Sequence, residues 1–279
     1  MAQSTQVSDD DLRRYREDGY LLVRGLYDPD EIGILRETAE KSPALQSHVM
    51  ALNDANGGVS KLTSWWIAGA DLFGAFSRSP RIVDRVERLM GFGVYHYHSK
   101  VMLKEPKVGG AWSWHQDYGY WYNAGYLYPH MMSCLVAMDG ARRDNGCLEL
   151  LRGSHKMGRI EHVLTGDQAG ADRTRVGWAL EAFERVHAEL EPGDALFFDS
   201  LTLHASAQNK SLRPRWSLIC CYTATHNTPR NEPNHPGYRP LVRAPDDAIK
   251  AWRDRPFEKD PQFHHMGEVR DIYTNTKGR

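Results

Sequence analysis

His115 and Asp117 stand two residues apart in Trp112-Ser-Trp-His-Gln-Asp-Tyr118, and His204 follows eighty-seven residues later in Leu203-His-Ala-Ser206. Side chains alternate along a strand, so an i, i+2 pair there presents an imidazole and a carboxylate on one face. A second imidazole from a distant strand completes two histidines and one carboxylate, the donor set that holds iron(II) and leaves one face of the metal open for an oxidant and a co-substrate. Arg215 lies eleven residues beyond His204. Its guanidinium is a planar fork that matches a carboxylate. A lone H-x-D pair arises by chance in a chain with 13 histidines, so the weight falls on the whole set. Arg213 is close enough to compete as the clamp.

The elements that must position these groups are legible in outline. Ser8 caps a helix over residues 9–18 closed by Gly19, and the apolar run Tyr20-Leu-Leu-Val23 follows as a strand. Asp28-Pro-Asp-Glu31 opens a helix to about Lys41, and Ser79-Pro80 opens another to Met90, stopped by Gly91. From Val94 onward the pattern turns to strands, over residues 95–103, 132–138, 147–151, 186–190, 195–203 and 215–222, with turns at Asn145-Gly and Glu191-Pro-Gly-Asp. Helices followed by strands at these spacings predict a mainly β chain, a jelly roll with N-terminal helices packed outside. We expect a single domain: a helical part over about 1–93, a jelly-roll core over about 94–225 and an extended tail over about 226–279. Residues 46–64 and 165–175 read as candidate lids, and residues 227–245, rich in Pro and Arg, as a tail wrapping the barrel.

Composition narrows the class of ligand. At 279 residues with a net charge of -1 and scattered charges, nothing recommends a nucleic acid or an anionic membrane as partner, so a small molecule is expected. No apolar run has the length of a membrane span, and the first residues lack a signal-peptide pattern, which reads as a cytoplasmic chain. Cys134, Cys147, Cys220 and Cys221 have apolar neighbours and no C-x-x-C spacing, so they are expected as buried small hydrophobes in strands rather than a disulfide or zinc framework. Oligomeric state is not written in the sequence.

Several ordered motifs resemble the phytanoyl-CoA dioxygenase family of iron(II)- and 2-oxoglutarate-dependent oxygenases. They are Tyr15-Arg-Glu-Asp-Gly-Tyr-Leu-Leu-Val23, Trp114-His-Gln-Asp-Tyr-Gly-Tyr-Trp121, Asn145-Gly-Cys-Leu148, Arg152-Gly-Ser-His155, Pro192-Gly-Asp-Ala-Leu-Phe197, His204 and Arg215-Trp-Ser217, spread between about Asp10 and Asp246. The resemblance implies a double-stranded β-helix, iron(II) on His115, Asp117 and His204, and 2-oxoglutarate and O2 as co-substrates. It places the clamp for the distal carboxylate at Arg215, eleven after the distal histidine, with Ser206 on the same strand face in support. Strand alternation sorts His96, His98, Lys100, Met102 and Lys104 onto one face, which suits a ligand-lined interior or a solvent-facing row alike. The resemblance tips the reading toward 2-oxoglutarate contacts for His98, Lys100 and Met102, and places Trp121 in the cofactor wall. It also implies hydroxylation, because related halogenases lack the carboxylate that Asp117 supplies. A second H-x-H, His96-Tyr-His98, lacks the glutamate that a cupin places three or four residues later, Glu105 coming too late.

Trp112, Trp114, Tyr118, Tyr120, Trp121 and Tyr122 crowd the metal motif, with Trp65-Trp66 in a candidate lid. Such rings are ordinary core residues, and they also enclose quaternary ammonium groups through cation-π attraction. The stretch from Gly110 to Asn123 resembles a bacterial branch with hydroxylases of aminoethylphosphonates. On that basis the lead substrate is a small zwitterion, 2-aminoethylphosphonate or its N-trimethyl analogue hydroxylated at the carbon bearing phosphorus, with Tyr118, Tyr120 and Trp66 as candidate contacts. The alternatives are the same chemistry on a natural-product or acyl substrate, a zinc-dependent hydrolase using the same triad, and a non-catalytic binding barrel.

Overall fold

The computed structural model describes residues 6–54, 57–165, 168–230, 240–253, 255 and 263. The first helix, α1 (Asp9–Asp18), begins where Ser8 and Asp11 exchange hydrogen bonds in a capping box and ends where Gly19 takes a left-handed conformation. β1 (Tyr20–Val23) follows, then α2 (Pro29–Lys41), which carries a second capping box between Asp28 and Glu31. After the single turn α3 (Pro43–Gln46) come β2 (Met50–Asn53), β3 (Val59–Trp65), α4 (Leu72–Ser77) and α5 (Pro80–Met90), the last closed by left-handed Gly91. The remaining elements are β4 (Val94–Lys104), β5 (Trp112–His115), α6 (Asp117–Trp121), β6 (Met131–Ala137), β7 (Leu148–Leu151), β8 (His162–Thr165), β9 (Gln168–Ala171), α7 (Arg173–Ala182), β10 (Arg185–Ala188), β11 (Ala195–Asp199), β12 (His204–Ser206) and β13 (Arg215–Ala224).

Two antiparallel sheets make the jelly roll. The larger runs β1-β11-β6-β13-β4-β3-β2 and the smaller β10-β7-β12-β5, with β8-β9 a separate hairpin. Strand alternation gives the larger sheet two buried faces. On β13, Trp216, Leu218, Cys220 and Tyr222 join Val101, Leu103, Phe197 and the helix residues Leu35, Val83 and Val86 in one apolar cluster. Ile219 and Cys221 join Leu135, Phe198 and the small-sheet residues Trp112 and Leu150 in a second cluster between the sheets. Helices thus cover one face of the large sheet, and the small sheet covers the other. All four cysteines are free and buried.

Two expectations need correction, and two others fall partly outside the described residues. Residues 46–54 and 57–64 are not a lid: they end α3 and form β2 and β3, which extend the large sheet by pairing Thr63 with Val101 and Ser64 with Lys100, while residues 55–56 lie outside the described residues. Residues 168–175 hold β9 and the start of α7, packed beside β5, while residues 166–167 of that second candidate lid lie outside the described residues. The stretch before Val94, read as helical apart from the strand at Tyr20–Val23, also holds β2 and β3, so that it supplies three strands of the large sheet. The predicted tail over 227–245 lies in large part outside the described residues; residues 240–253 pack on the helices, with Arg81 bridging Glu31 at 2.5 Å and Asp246 at 2.7 Å, and Lys250 meeting Asp28 at 2.6 Å. No helix among the described residues is long and apolar enough to cross a membrane.

One irregularity matters for the site. β13 pairs Cys221 with His98 and Tyr222 with His96, so Tyr97 is the extra residue of a β-bulge. A bulge re-aims the side chains beyond it. His96 therefore leaves the face predicted for it: its ring lies near Tyr222 and its Nε2 meets Ser99 Oγ at 2.7 Å, while Lys100 and Met102 point between the sheets.

Candidate active site

β5 and β12 are antiparallel neighbours with His115 directly opposite His204, and the two imidazole centroids lie 4.0 Å apart. Asp117 arrives differently from the strand reading. The strand ends at His115, and Asp117 is the first residue of α6. The i, i+2 pair still converges, because the turn at Gln116 swings the carboxylate back toward the strand. Its Oδ1 lies 3.9 Å from His115 Nε2 and 3.8 Å from His204 Nε2, and the three donor atoms all fall within 4.8 Å of one another.

The surroundings leave little freedom in how these groups present themselves. His115 Nδ1 donates to Ser113 O at 2.7 Å, and His204 Nδ1 to Thr202 O at 2.9 Å. A carbonyl only accepts, so each ring keeps its proton on Nδ1 and turns the Nε2 lone pair toward Asp117. Burial, then the neighbouring imidazole, holds the His115 pKa well below its usual value; burial likewise lowers that of His204 against the opposing pull of Asp117. Both are therefore neutral at pH 7, the form that binds a metal. Ser133, on β6, donates to Asp117 Oδ2 at 2.6 Å and leaves Oδ1 to face the imidazoles. Two neutral nitrogens and one oxygen, each with its other polar atom already committed to the protein, fit a divalent transition metal.

Gln116 explains how the turn is held. Its side-chain amide donates to Gly158 O at 2.8 Å and Leu201 O at 2.7 Å and accepts from Ile160 N at 2.7 Å, while its backbone N–H donates to His162 Nε2 at 2.9 Å. His162 donates from Nδ1 to Ile160 O at 2.9 Å, and burial pulls its pKa down to about 4. It packs so tightly on α6 that a Cβ on Gly119 would fall 1.9 Å from its ring.

A cavity between the sheets joins the three ligands to Ser206 and Arg215, with Lys100, Met102, Leu135, Leu148, Phe198 and Ile219 along its walls and Trp112 beside His115. Arg215 is buried at the start of β13; its Nε has no hydrogen-bond partner, and burial pulls its pKa down to about 10, so it stays charged at pH 7. Arg213, the rival clamp, is exposed and spends its guanidinium on Asp144 at 2.9 Å. Ser206 is two residues along β12 from His204, a step of roughly 7 Å, and its Oγ accepts from Lys104 Nζ at 2.9 Å.

The other singled-out residues lie behind this cavity rather than on its wall. His98 sits in an aromatic group with Trp66 and Trp121 at centroid distances of 6.3 and 6.0 Å. Tyr118 donates its hydroxyl to Tyr126 O at 3.0 Å, and Tyr120 to Ala169 O at 2.6 Å, with its ring 5.3 Å from that of His115. Ser133, Gln116 and Lys104 were given no role by the sequence reading. Ser133 meets the start of α6 and Lys104 reaches from the large sheet to β12 of the small one, so both acquire their roles only through tertiary packing, and Gln116 only through loops brought beside it.

Comparison with known proteins agrees with this architecture. The chain is 29% identical over 250 residues to an L-proline trans-4-hydroxylase of Streptomyces griseoviridis, spanning 84% of this chain and 91% of that protein. It is 30% identical over 227 residues to the peroxisomal phytanoyl-CoA dioxygenase of Mus musculus, covering 77% of this chain and 62% of the relative. The fold matches the apoform of EctD from S. alaskensis with a TM-score of 0.71 at 20% identity, covering 88% of this chain and 90% of that one. The phytanoyl-CoA dioxygenase family model matches residues 15–217, a span that runs from the last turn of α1 through all three ligand positions to just past Arg215, and the chain belongs to that family of iron(II)- and 2-oxoglutarate-dependent oxygenases.

Proposed function

We propose that His115, Asp117 and His204 hold one iron(II), that Arg215 and Ser206 receive the distal carboxylate of 2-oxoglutarate, and that the enzyme hydroxylates a small zwitterionic substrate. One observation carries this reading. In a single cavity, three donor atoms with no other protein partner converge, and a buried guanidinium faces the same space with no carboxylate in ion-pair contact among the described residues.

When bound, the iron and 2-oxoglutarate would activate O2, one of whose oxygen atoms enters a substrate C–H bond as hydroxyl while the other ends in succinate as carbon dioxide leaves. What the chain contributes is binding and orientation. Ser113 O and Thr202 O hold the imidazoles in the tautomer that offers Nε2, and Ser133 keeps one carboxylate oxygen turned inward. Arg215 fixes the co-substrate at the end remote from the metal, with Lys100 and Met102 in contact along the wall. His98 and Trp121 back that wall. The sheet faces exclude bulk water, which strengthens each polar contact.

For the substrate, the lead remains 2-aminoethylphosphonate or its N-trimethyl analogue, hydroxylated at the carbon bearing phosphorus. It rests on the resemblance carried by residues 110–123. A relative that hydroxylates L-proline supports a zwitterion, while the phytanoyl-CoA relative supports the acyl alternative. Tyr118, Tyr120 and Trp66 stand behind the cavity wall and both tyrosine hydroxyls are engaged with backbone carbonyls, so in this reading their rings back the space for a cationic head rather than bond it. The test is succinate formation with iron and 2-oxoglutarate on a panel of both phosphonates, amino acids including L-proline, and acyl-CoA thioesters. We expect turnover with a phosphonate. Turnover of an acyl thioester alone removes the zwitterion, and substrate hydrolysis without iron or 2-oxoglutarate would establish the zinc hydrolase instead.

A further inference from the structure

Lys104 ends β4 directly opposite Arg215, the first residue of β13, and both are buried. Like charges on opposed positions of neighbouring strands repel, and burial adds a desolvation cost to each. Neither side chain forms an ion pair among the described residues. Carboxylates act on them only from beyond ion-pair distance, Asp139 on Arg215 and Asp54 and Glu149 on Lys104, so the arrangement invites a closer counter-charge.

The Lys104 ammonium is nevertheless held in place. It donates to Ser206 Oγ at 2.9 Å and to Ala207 O at 2.5 Å. Two glycines clear its path: a Cβ on Gly109 would fall 2.5 Å from Lys104 Cγ, and one on Gly146, which sits at φ 74, would fall 3.1 Å from Nζ and 2.2 Å from Ala207 O. Burial, then the charge of Arg215, holds the Lys104 pKa well below its usual value, and it is the geometry that sets the direction of the bond: Nζ donates to Ser206 Oγ. A serine oxygen that accepts there has its own hydroxyl proton to donate elsewhere. Ser206 lines the cavity beside Arg215, whereas Lys104 does not reach it.

We propose that Lys104 is a positioning residue for the co-substrate: it locks the Ser206 hydroxyl as a donor aimed, with Arg215, at the distal carboxylate. This rests on the assignment of that carboxylate to Arg215. The lysine acts through the serine, so its effect belongs to one end of the ligand only.

The experiment is calorimetric titration, without oxygen, of iron(II)-loaded protein with 2-oxoglutarate and with 2-oxopentanoate, which has the same carbon chain but no distal carboxylate. Lys104→Met should raise the Kd for 2-oxoglutarate by about tenfold or more while leaving that for 2-oxopentanoate within about twofold. Ser206→Ala should show the same selectivity, and Lys104→Met added to it should cost clearly less than in the parent, because the two act as a unit. Equal weakening of both acids, unchanged affinity for 2-oxoglutarate, or full additivity overturns the proposal. Should Lys104→Met fail to fold, the selectivity of Ser206→Ala decides alone. Arg215→Lys is measured alongside: if it too leaves 2-oxoglutarate binding intact, the carboxylate assignment itself falls, whereas a defect there with none in Lys104→Met removes only the role of the lysine.

Discussion

The metal-ligand end of the cavity and its Arg215 end are built by opposite rules. Around His115, Asp117 and His204 the polar atoms turned away from the cavity have protein partners, so that what remains is three acceptors and a net negative charge. Around Arg215 and Lys104 no carboxylate comes within ion-pair distance among the described residues, and what remains is donors and the positive charge of Arg215. One end lacks a cation and the other lacks an anion. Because the desolvation cost of a lone buried charge is several kcal/mol, each end is stabilised by whatever supplies the missing sign. Specific recognition here comes from groups left unsatisfied in a controlled way, with the surrounding bonds fixing which atoms those are.

The largest test of this contrast removes the only charged ligand. Asp117→Ala should lower turnover on the order of 10³-fold, since a metal-held transition state is worth several kcal/mol, and metal analysis should find iron no longer bound stoichiometrically. Full iron occupancy with normal succinate output in that variant would break the picture at the metal end. At the other end, Arg215→Lys keeps the charge and loses the fork. The KM for 2-oxoglutarate should rise roughly 30- to 100-fold, a loss of about 2 to 3 kcal/mol, with the primary-substrate KM little changed. Arg213→Lys is the control: its exposed bridge to Asp144 predicts no such effect, and a defect there in place of Arg215 would move the clamp. A smaller change sharpens the first end. Ser133→Ala frees Asp117 Oδ2 from its 2.6 Å bond and should weaken iron affinity by roughly tenfold, read by competition against a chelator. Unaltered affinity would mean that the carboxylate is oriented by α6 alone.

The sequence made local devices legible and hid what depends on register. Ser8 with Asp11, Asp28 with Pro29 and Glu31, and the stop at Gly91 each act within four residues, and the helices they delimit stand where the caps place them. By contrast β3 carries Ser60, Lys61, Thr63 and Ser64 among few apolar residues, so nothing in its own pattern distinguishes it from a loop; it is a strand because β4 lies beside it. α7 went unread because Gly177 and two arginines blur the apolar stripe of a short helix. The same divide runs through the site. The triad and Arg215 could be read from residue type and spacing, including the convergence of Asp117, though by a helix start rather than a strand. Ser133 and Lys104 gain their partners from elements 16 and 102 residues away, and the bulge at Tyr97, which turns His96 out of the interior, leaves no mark in the letters.

Gln116 also bears on how such an enzyme can be re-engineered. One side chain, placed between two ligand positions, ties down the segment around Gly158 and Ile160 and the turn at Leu201. Lengthening either segment would pull on the spacing of His115 and Asp117, so neither is free ground for loop grafting. The stretch between α6 and β6 is different around Leu127 and Tyr128: both are exposed, and their tether to Asn227 lies well away from the amide of Gln116 in sequence, although buried Tyr126 just before them is tied to Tyr118 of α6. Library design aimed at new substrates belongs there, where length can vary while the ligands stay in register.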